Sequence, residues 1–147
     1  MKIKNPYIKD GVEYKLTLID CGKYELECYV FAQNSNRPAL FISNSDTNMY
    51  NIGGDFLSYD WNSKEINENL IPTIDEVLER KWGDEILGNN FTLISAIITP
   101  EITYFTSNNN LTEGRKEAQE NENMQIDTKI LKDIIVKWRD FVKTFED

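Results

Sequence analysis

Residues 11–32, GVEYKLTLIDCGKYELECYVFA, alternate apolar and polar side chains on both sides of Gly22. Alternation puts successive side chains on opposite faces of a strand, so the segment predicts a β-hairpin with one buried face. A two-residue turn at Cys21-Gly22 sets Leu16 opposite Glu27 and Leu18 opposite Glu25, an apolar–charged mismatch on that face. A three-residue turn at 20–22 instead sets Val12, Leu16 and Leu18 against Val30, Leu26 and Tyr24. It also sets Tyr14 against Cys28 and Lys15 against Glu27, so face and charge agree. The second register is the one expected, with Gly22 in the left-handed conformation that three-residue loops favour. Cys21 then sits at the turn while Cys28 points inward along the strand, so the two thiols do not meet and both are expected to be free.

After a polar loop at 33–37, PALFIS (38–43) reads as a short third strand. PTIDEVLERKWGDEIL (72–87) reads as a helix: Pro72 suits a first turn, and Asp75 and Glu76 suit the positive N-terminal end. Ile74, Val77, Leu78 and Trp82 fall on one face, so Trp82, like Trp138, is expected in the core. FTLISAIIT (91–99) is apolar on both faces and reads as a central strand, turned by Pro100-Glu101 into its hairpin mate ITYFTS (102–107). Residues 108–125 suit a solvated charged loop or a weak surface helix. Asp127 can cap a C-terminal helix whose Ile130, Ile134, Trp138, Phe141, Val142 and Phe145 form one apolar stripe. The consistent solution is an α+β fold, a mostly antiparallel sheet of about five strands with two main helices (about 72–87 and 127–146) packed on it. A single domain spanning 1–147 suffices, since a chain of this length buries roughly 70% of its unfolded surface.

The chain has no histidine, which removes the commonest general base and the commonest transition-metal ligand. Catalysis would have to run on carboxylates, Tyr or Lys. Cys28, without a histidine and on an apolar face, reads as a core thiol rather than a nucleophile. No cofactor or metal is implied. The alternation of Asn44, Asp46 and Asn48 lacks the Gly and Glu that a calcium loop needs at its sixth and twelfth positions. Gly53-Gly54 has none of the flanking pattern of a phosphate cradle and reads as a tight turn. The N-terminus carries no secretory signal, and the longest nearly apolar run, 91–99, is under half a membrane span of about 20 residues, so a cytoplasmic protein with no membrane contact is expected.

The net charge of −9 argues against direct nucleic-acid binding. Residues 1–43 carry +1, residues 44–101 carry −8 and residues 102–147 carry −2, so the acidity gathers in the middle third. That third opens with a turn-rich segment, 44–70, which reads as a long structured excursion of the functional kind. Its sequence NMYNIGGDFLSYDW (48–61) mixes rings with acids. Phe56 is expected to anchor it from beneath. Tyr50, Tyr59 and Trp61, with Asp46, Asp55, Asp60, Glu65 and Glu68, are the candidate partner-binding residues. Exposed aromatics supply desolvated contact area, and carboxylates steer a basic partner. With Asp75, Glu76 and Glu79 behind them, these residues suggest an acidic inhibitor of the bacterial immunity or antitoxin type, which blocks the active site of a basic protein such as a nuclease or another toxin with a phosphate substrate. Two alternatives stand beside it. The same acids could serve a carboxylate hydrolase or small-ligand-binding domain if two of them converged in a cleft. A phage-type DNA mimic would instead need them strung along an elongated face.

Overall fold

The computed structural model describes residues 12–21, 23–31, 37–143 and 146, with only the backbone described for 12–21 and 29–31. The fold is α+β. It holds two antiparallel sheets of four strands each rather than one sheet of about five. The first sheet runs in chain order through β1 (Val12–Cys21), β2 (Tyr24–Phe31), β3 (Arg37–Asn44) and the two-residue β4 (Tyr50–Asn51). The second is β5 (Glu85–Gly88), β6 (Ser95–Ile98), β7 (Ile102–Thr106) and β8 (Gln125–Asp127). Between the sheets in sequence lie α1 (Gly53–Leu57), α2 (Ser63–Glu65), a π-helical turn (Ile66–Leu70) and α3 (Ile71–Arg80). α4 (Leu111–Gln119) joins β7 to β8, and α5 (Thr128–Lys143) closes the chain. Among the described residues, no helix is long and apolar enough to cross a membrane.

The hairpin forms, with the described side chains of β2 on the expected face but not in the expected register. Leu16 lies opposite Cys28, Leu18 opposite Leu26, and Thr17 rather than Lys15 opposite Glu27, with an irregularity between Leu18 and Cys21. The difference is two residues, and a two-residue slip keeps every side chain on its own face, so alternation alone does not separate the two pairings. Tyr24, Leu26 and Cys28 point into the core, and burial pushes the Cys28 thiol far above its usual range. Cys28 is free; the side chain of Cys21, the conformation of Gly22, the loop at 33–36 and Phe145 lie outside the described residues.

Pro72 does not start its helix. The helical path begins ten residues earlier, at the cap Asn62, and runs through Arg80. A proline in such a path lacks an N–H and collides with the carbonyl four residues back. The path widens into a π turn immediately before it, where Ile71 N–H bonds to the Ile66 carbonyl five residues back. At its other end Lys81 adopts a left-handed conformation (φ 62°) and terminates α3. Trp82 therefore leaves the helical stripe and is exposed, its ring 5.1 Å from the Arg80 guanidinium, and residues 85–88 form a strand instead. The apolar run 91–99 yields strand only at Ser95–Ile98; Phe91 and Leu93 are exposed in the turn before it. Within 108–125 the weak helix is realised as α4, capped by Asn110 and burying Gly114 and Ala118.

One continuous core joins both sheets, with Leu26, Leu40 and Ile42 from the first, Ile98 and Phe105 from the second, and Ile74 and Trp138 from the helices. α1 is the wedge between β3 and β6. Gly53-Gly54 is not a turn; it opens this helix and lets it lie on bare backbone. A β-carbon on Gly54 falls 2.5 Å from the Leu40 carbonyl oxygen and 3.1 Å from the Ile42 nitrogen. Gly54→Ala is expected to destabilise by about 1–3 kcal/mol, because backbone cannot yield as a side-chain tip does. Urea unfolding checks this: the midpoint falls at unchanged slope, and a midpoint equal to the wild type would mean that α1 does not rest on β3.

Candidate protein-binding surface

The candidate residues fall at the two ends of β3. Tyr59 N–H bonds to the Pro38 carbonyl at one end, and Tyr50 pairs with Ser43 at the other. Five strand residues, about 16 Å, separate these anchor points. Asp46 and Tyr50 are exposed at the Asn44 end, where the Tyr50 ring packs 5.9 Å from Phe41. Asp55, Tyr59, Asp60 and Trp61 gather at the Arg37 end. Glu65 belongs to neither group. It completes a capping box with Asn62, its carboxylate accepting the Asn62 N–H at 3.3 Å. Glu68 is exposed on the π turn. Phe56 is fully buried, as expected, and Trp61 is half-buried against it, donating its indole N–H to the Phe56 carbonyl at 2.9 Å.

At the Arg37 end the excursion meets the turn between β5 and β6. The joint is Asn89, which is 2% exposed. Its amide nitrogen donates to the carbonyls of Phe56 (2.7 Å) and Ser58 (2.8 Å), and its oxygen accepts the N–H groups of Phe91 and Thr92, both at 2.8 Å. Ser58 locks the same loop to β3: its hydroxyl donates to the Gly54 carbonyl and accepts the Leu40 N–H. Two loops are thereby fixed as one body. Its outer edge is apolar. The Tyr59 and Phe91 rings lie 5.0 Å apart, the Arg37 guanidinium stands 5.5 Å over Phe91, and Phe91 and Leu93 are 50% and 72% exposed.

Tyr59 (φ 72°) and Leu93 (φ 62°) both occupy the left-handed region, which a bulky side chain enters only when its surroundings impose it. Here the surroundings are the Asn89 and Ser58 networks and the Leu93 N–H bond to the Asn89 carbonyl at 2.9 Å. The strain projects Tyr59 and Leu93 outward beside Phe91. Sequence reasoning missed Arg37, Asn89, Phe91 and Leu93. The available signal was Asn89-Asn90 after Gly88, a turn marker directly ahead of two large apolar residues.

Two carboxylates flank the ridge. Asp60 accepts the Asn90 N–H at 2.9 Å, and the Asp55 backbone carbonyl accepts the Thr92 hydroxyl at 2.9 Å. Neither acid has an ion-pair partner among the described residues. By contrast, acids farther along are paired: Asp75 with Lys132 (2.6 Å), Glu76 and Glu85 sharing Arg80 (3.0 and 3.1 Å), and Asp84 with Arg115 (2.8 Å). The continuous anionic string of a DNA mimic finds no support in this pairing. A cleft of about 290 Å³ beside the ridge is lined by Asp60 and Glu146. Glu146 is held by both the backbone N–H and the hydroxyl of Ser63, and Asp60 by Asn90, so both carboxylates are engaged in loop closure.

Comparison of the chain with protein families, with characterised proteins and with solved structures finds no match.

Asn89→Ala leaves the Phe91 and Thr92 N–H groups without their acceptor and removes one of two donors from each of the Phe56 and Ser58 carbonyls, which keep Trp61 and the Asp60 N–H, so a loss of about 1–3 kcal/mol is expected. Hydrogen exchange locates it: the amides of Phe91 and Thr92 lose protection first, whereas uniform loss across the protein would deny Asn89 its local role. Partial burial raises the Asp55 pKa above the usual carboxylate range. A raised folded pKa favours the protonated form, so the contribution to stability is full below the unfolded value and disappears as pH rises through the folded one. Asp55→Asn is therefore expected to leave stability at neutral pH equal or higher. A lowered urea midpoint at pH 7 would contradict this.

Proposed function

We propose that the chain is an acidic inhibitor of the immunity or antitoxin type, acting in the cytoplasm as a binder rather than an enzyme. It docks the Tyr59–Phe91–Leu93 ridge on a basic protein partner and covers that partner's anion-binding active site. The observation that carries this reading is the strained, hydrogen-bond-locked ridge: Tyr59 and Leu93 are held in left-handed backbone so that apolar side chains stand out between Asp55 and Asp60. A surface ordered in advance loses little entropy on binding, and exposed rings beside acids match the composition of interface hot spots. Asp55 supports the same reading, since it is exposed and has no ion-pair partner among the described residues, so its charge is open to a cationic group on the partner.

The test begins with capture of the partner from the native cell and measurement of binding and of the partner's own activity. Phe91→Ala and Leu93→Ala are each expected to weaken binding by about 2 kcal/mol or more, mainly through faster dissociation. Asp55→Lys combined with Asp60→Lys is expected to slow association and remove its salt dependence. Unchanged affinity in that double variant, or a captured partner whose activity is undiminished, would refute the proposal.

A further inference from the structure

A second cleft, of about 270 Å³, opens at the other end of β3, where β2 and β8 approach each other. Its floor is apolar, made by Ile102, Ile126 and Ile130. Tyr24, on the core face of β2 and only 3% exposed, forms one wall. No described residue hydrogen-bonds its hydroxyl, so the one polar atom of an otherwise buried side chain is left to the cleft. Glu122 and Asp127 line the same cleft; burial raises the Tyr24 pKa, and the two carboxylates add to that in the same direction. Asp127 uses one oxygen to cap α5, accepting the N–H groups of Lys129 and Ile130 at 2.9 and 3.3 Å. Its other oxygen is uncommitted among the described residues. Gln125 is turned away, its amide donating to the Ala118 carbonyl. Lys23, the only cation on the wall, stands 5.6 Å over the face of the Tyr24 ring and pairs with neither acid among the described residues.

The cleft thus combines an unused phenol oxygen, two carboxylates and a small apolar floor. We propose that it is a binding site for a primary alkylammonium: the ammonium donates to the Tyr24 hydroxyl oxygen and to Glu122 and Asp127, and the alkyl chain lies on the three isoleucines. A neutral isostere leaves the carboxylates unpaired, and a bare metal ion leaves the floor unused, so a cation with a short carbon chain is the class that satisfies every wall.

Titration of the whole protein with n-butylammonium chloride, followed by isoleucine methyl resonances, tests this. Saturable shifts at Ile102, Ile126 and Ile130 are expected, with a Kd on the order of 1 mM. Tyr24→Phe, which keeps the ring, and Glu122→Gln, at an exposed position, are each expected to weaken binding roughly tenfold. n-Butanol is expected to produce no saturable shift. Equal binding of butanol, undiminished binding in both variants, or no saturation by the amine would each overturn the assignment. None of these outcomes bears on the ridge, whose residues lie at the opposite end of β3.

Discussion

The contact on which the rest of the structure depends is α1 resting on the bare backbone of β3. Gly54 removes the side chain that would hold the two apart, and a helix axis at this distance brings Phe56 and Leu57 fully into the core. Phe56 packs 5.7 Å from Phe105 of β7 and 5.6 Å from Trp61, so a single ring links the first sheet's excursion to the second sheet. Two four-stranded sheets with few strands each bury little on their own; this wedge gives them a common interior. Everything outward of α1, including the ridge, inherits its position from that seating.

A helix of five residues leaves most of its carbonyls without an internal partner, and here each is satisfied by a side chain from elsewhere. Ser58 takes the carbonyl of Gly54, Trp61 and Asn89 take that of Phe56, and Trp138 of α5 takes that of Leu57 at 3.0 Å. Asn89 takes that of Ser58 as well. Buried polar groups left unmade are far more costly than the same groups paired, so these bonds act as a requirement on the fold rather than an addition to it. They also explain how Tyr59 and Leu93 persist in a conformation that each residue disfavours: many bonds over-determine two dihedrals.

How much of this was legible in the sequence depends on the range of the interaction responsible. The faces of β2 follow from a period of two, and Trp138 and its neighbours on α5 from a period near four, both local properties. The hairpin register was not legible, because two pairings two residues apart present the same faces. Trp82 was misplaced because the helix ends at Lys81 in a left-handed conformation that nothing about a lysine announces. The excursion was legible as an unusual composition, and Phe56 as its anchor. Its division between the ends of β3, and the recruitment of Phe91 and Leu93 from a turn some 30 residues later, depend on Asn89. A tertiary hydrogen bond of that span leaves no periodic trace.

Net charge, which first drew attention to the middle third, is therefore a poor guide to where that charge can act. Asp75, Glu76, Asp84 and Glu85 are spent on Lys132, Arg80 and Arg115, and Glu65 on a helix cap. Exposed pairs of this kind contribute little to stability, but they reduce the field a partner would sense. Acids without an ion-pair partner among the described residues are spread over many elements, Glu68, Glu79, Glu101, Glu113 and Asp133 among them; two pairs stand apart, Asp55 and Asp60 beside the ridge and Glu122 and Asp127 beside Tyr24. Each pair adjoins a feature that folding alone does not require, strained backbone in one case and a phenol hydroxyl with no partner among the described residues in the other. It is this coincidence of uncompensated charge with a local departure from the stable arrangement, rather than acidity as such, that separates the two candidate sites from the remaining carboxylates.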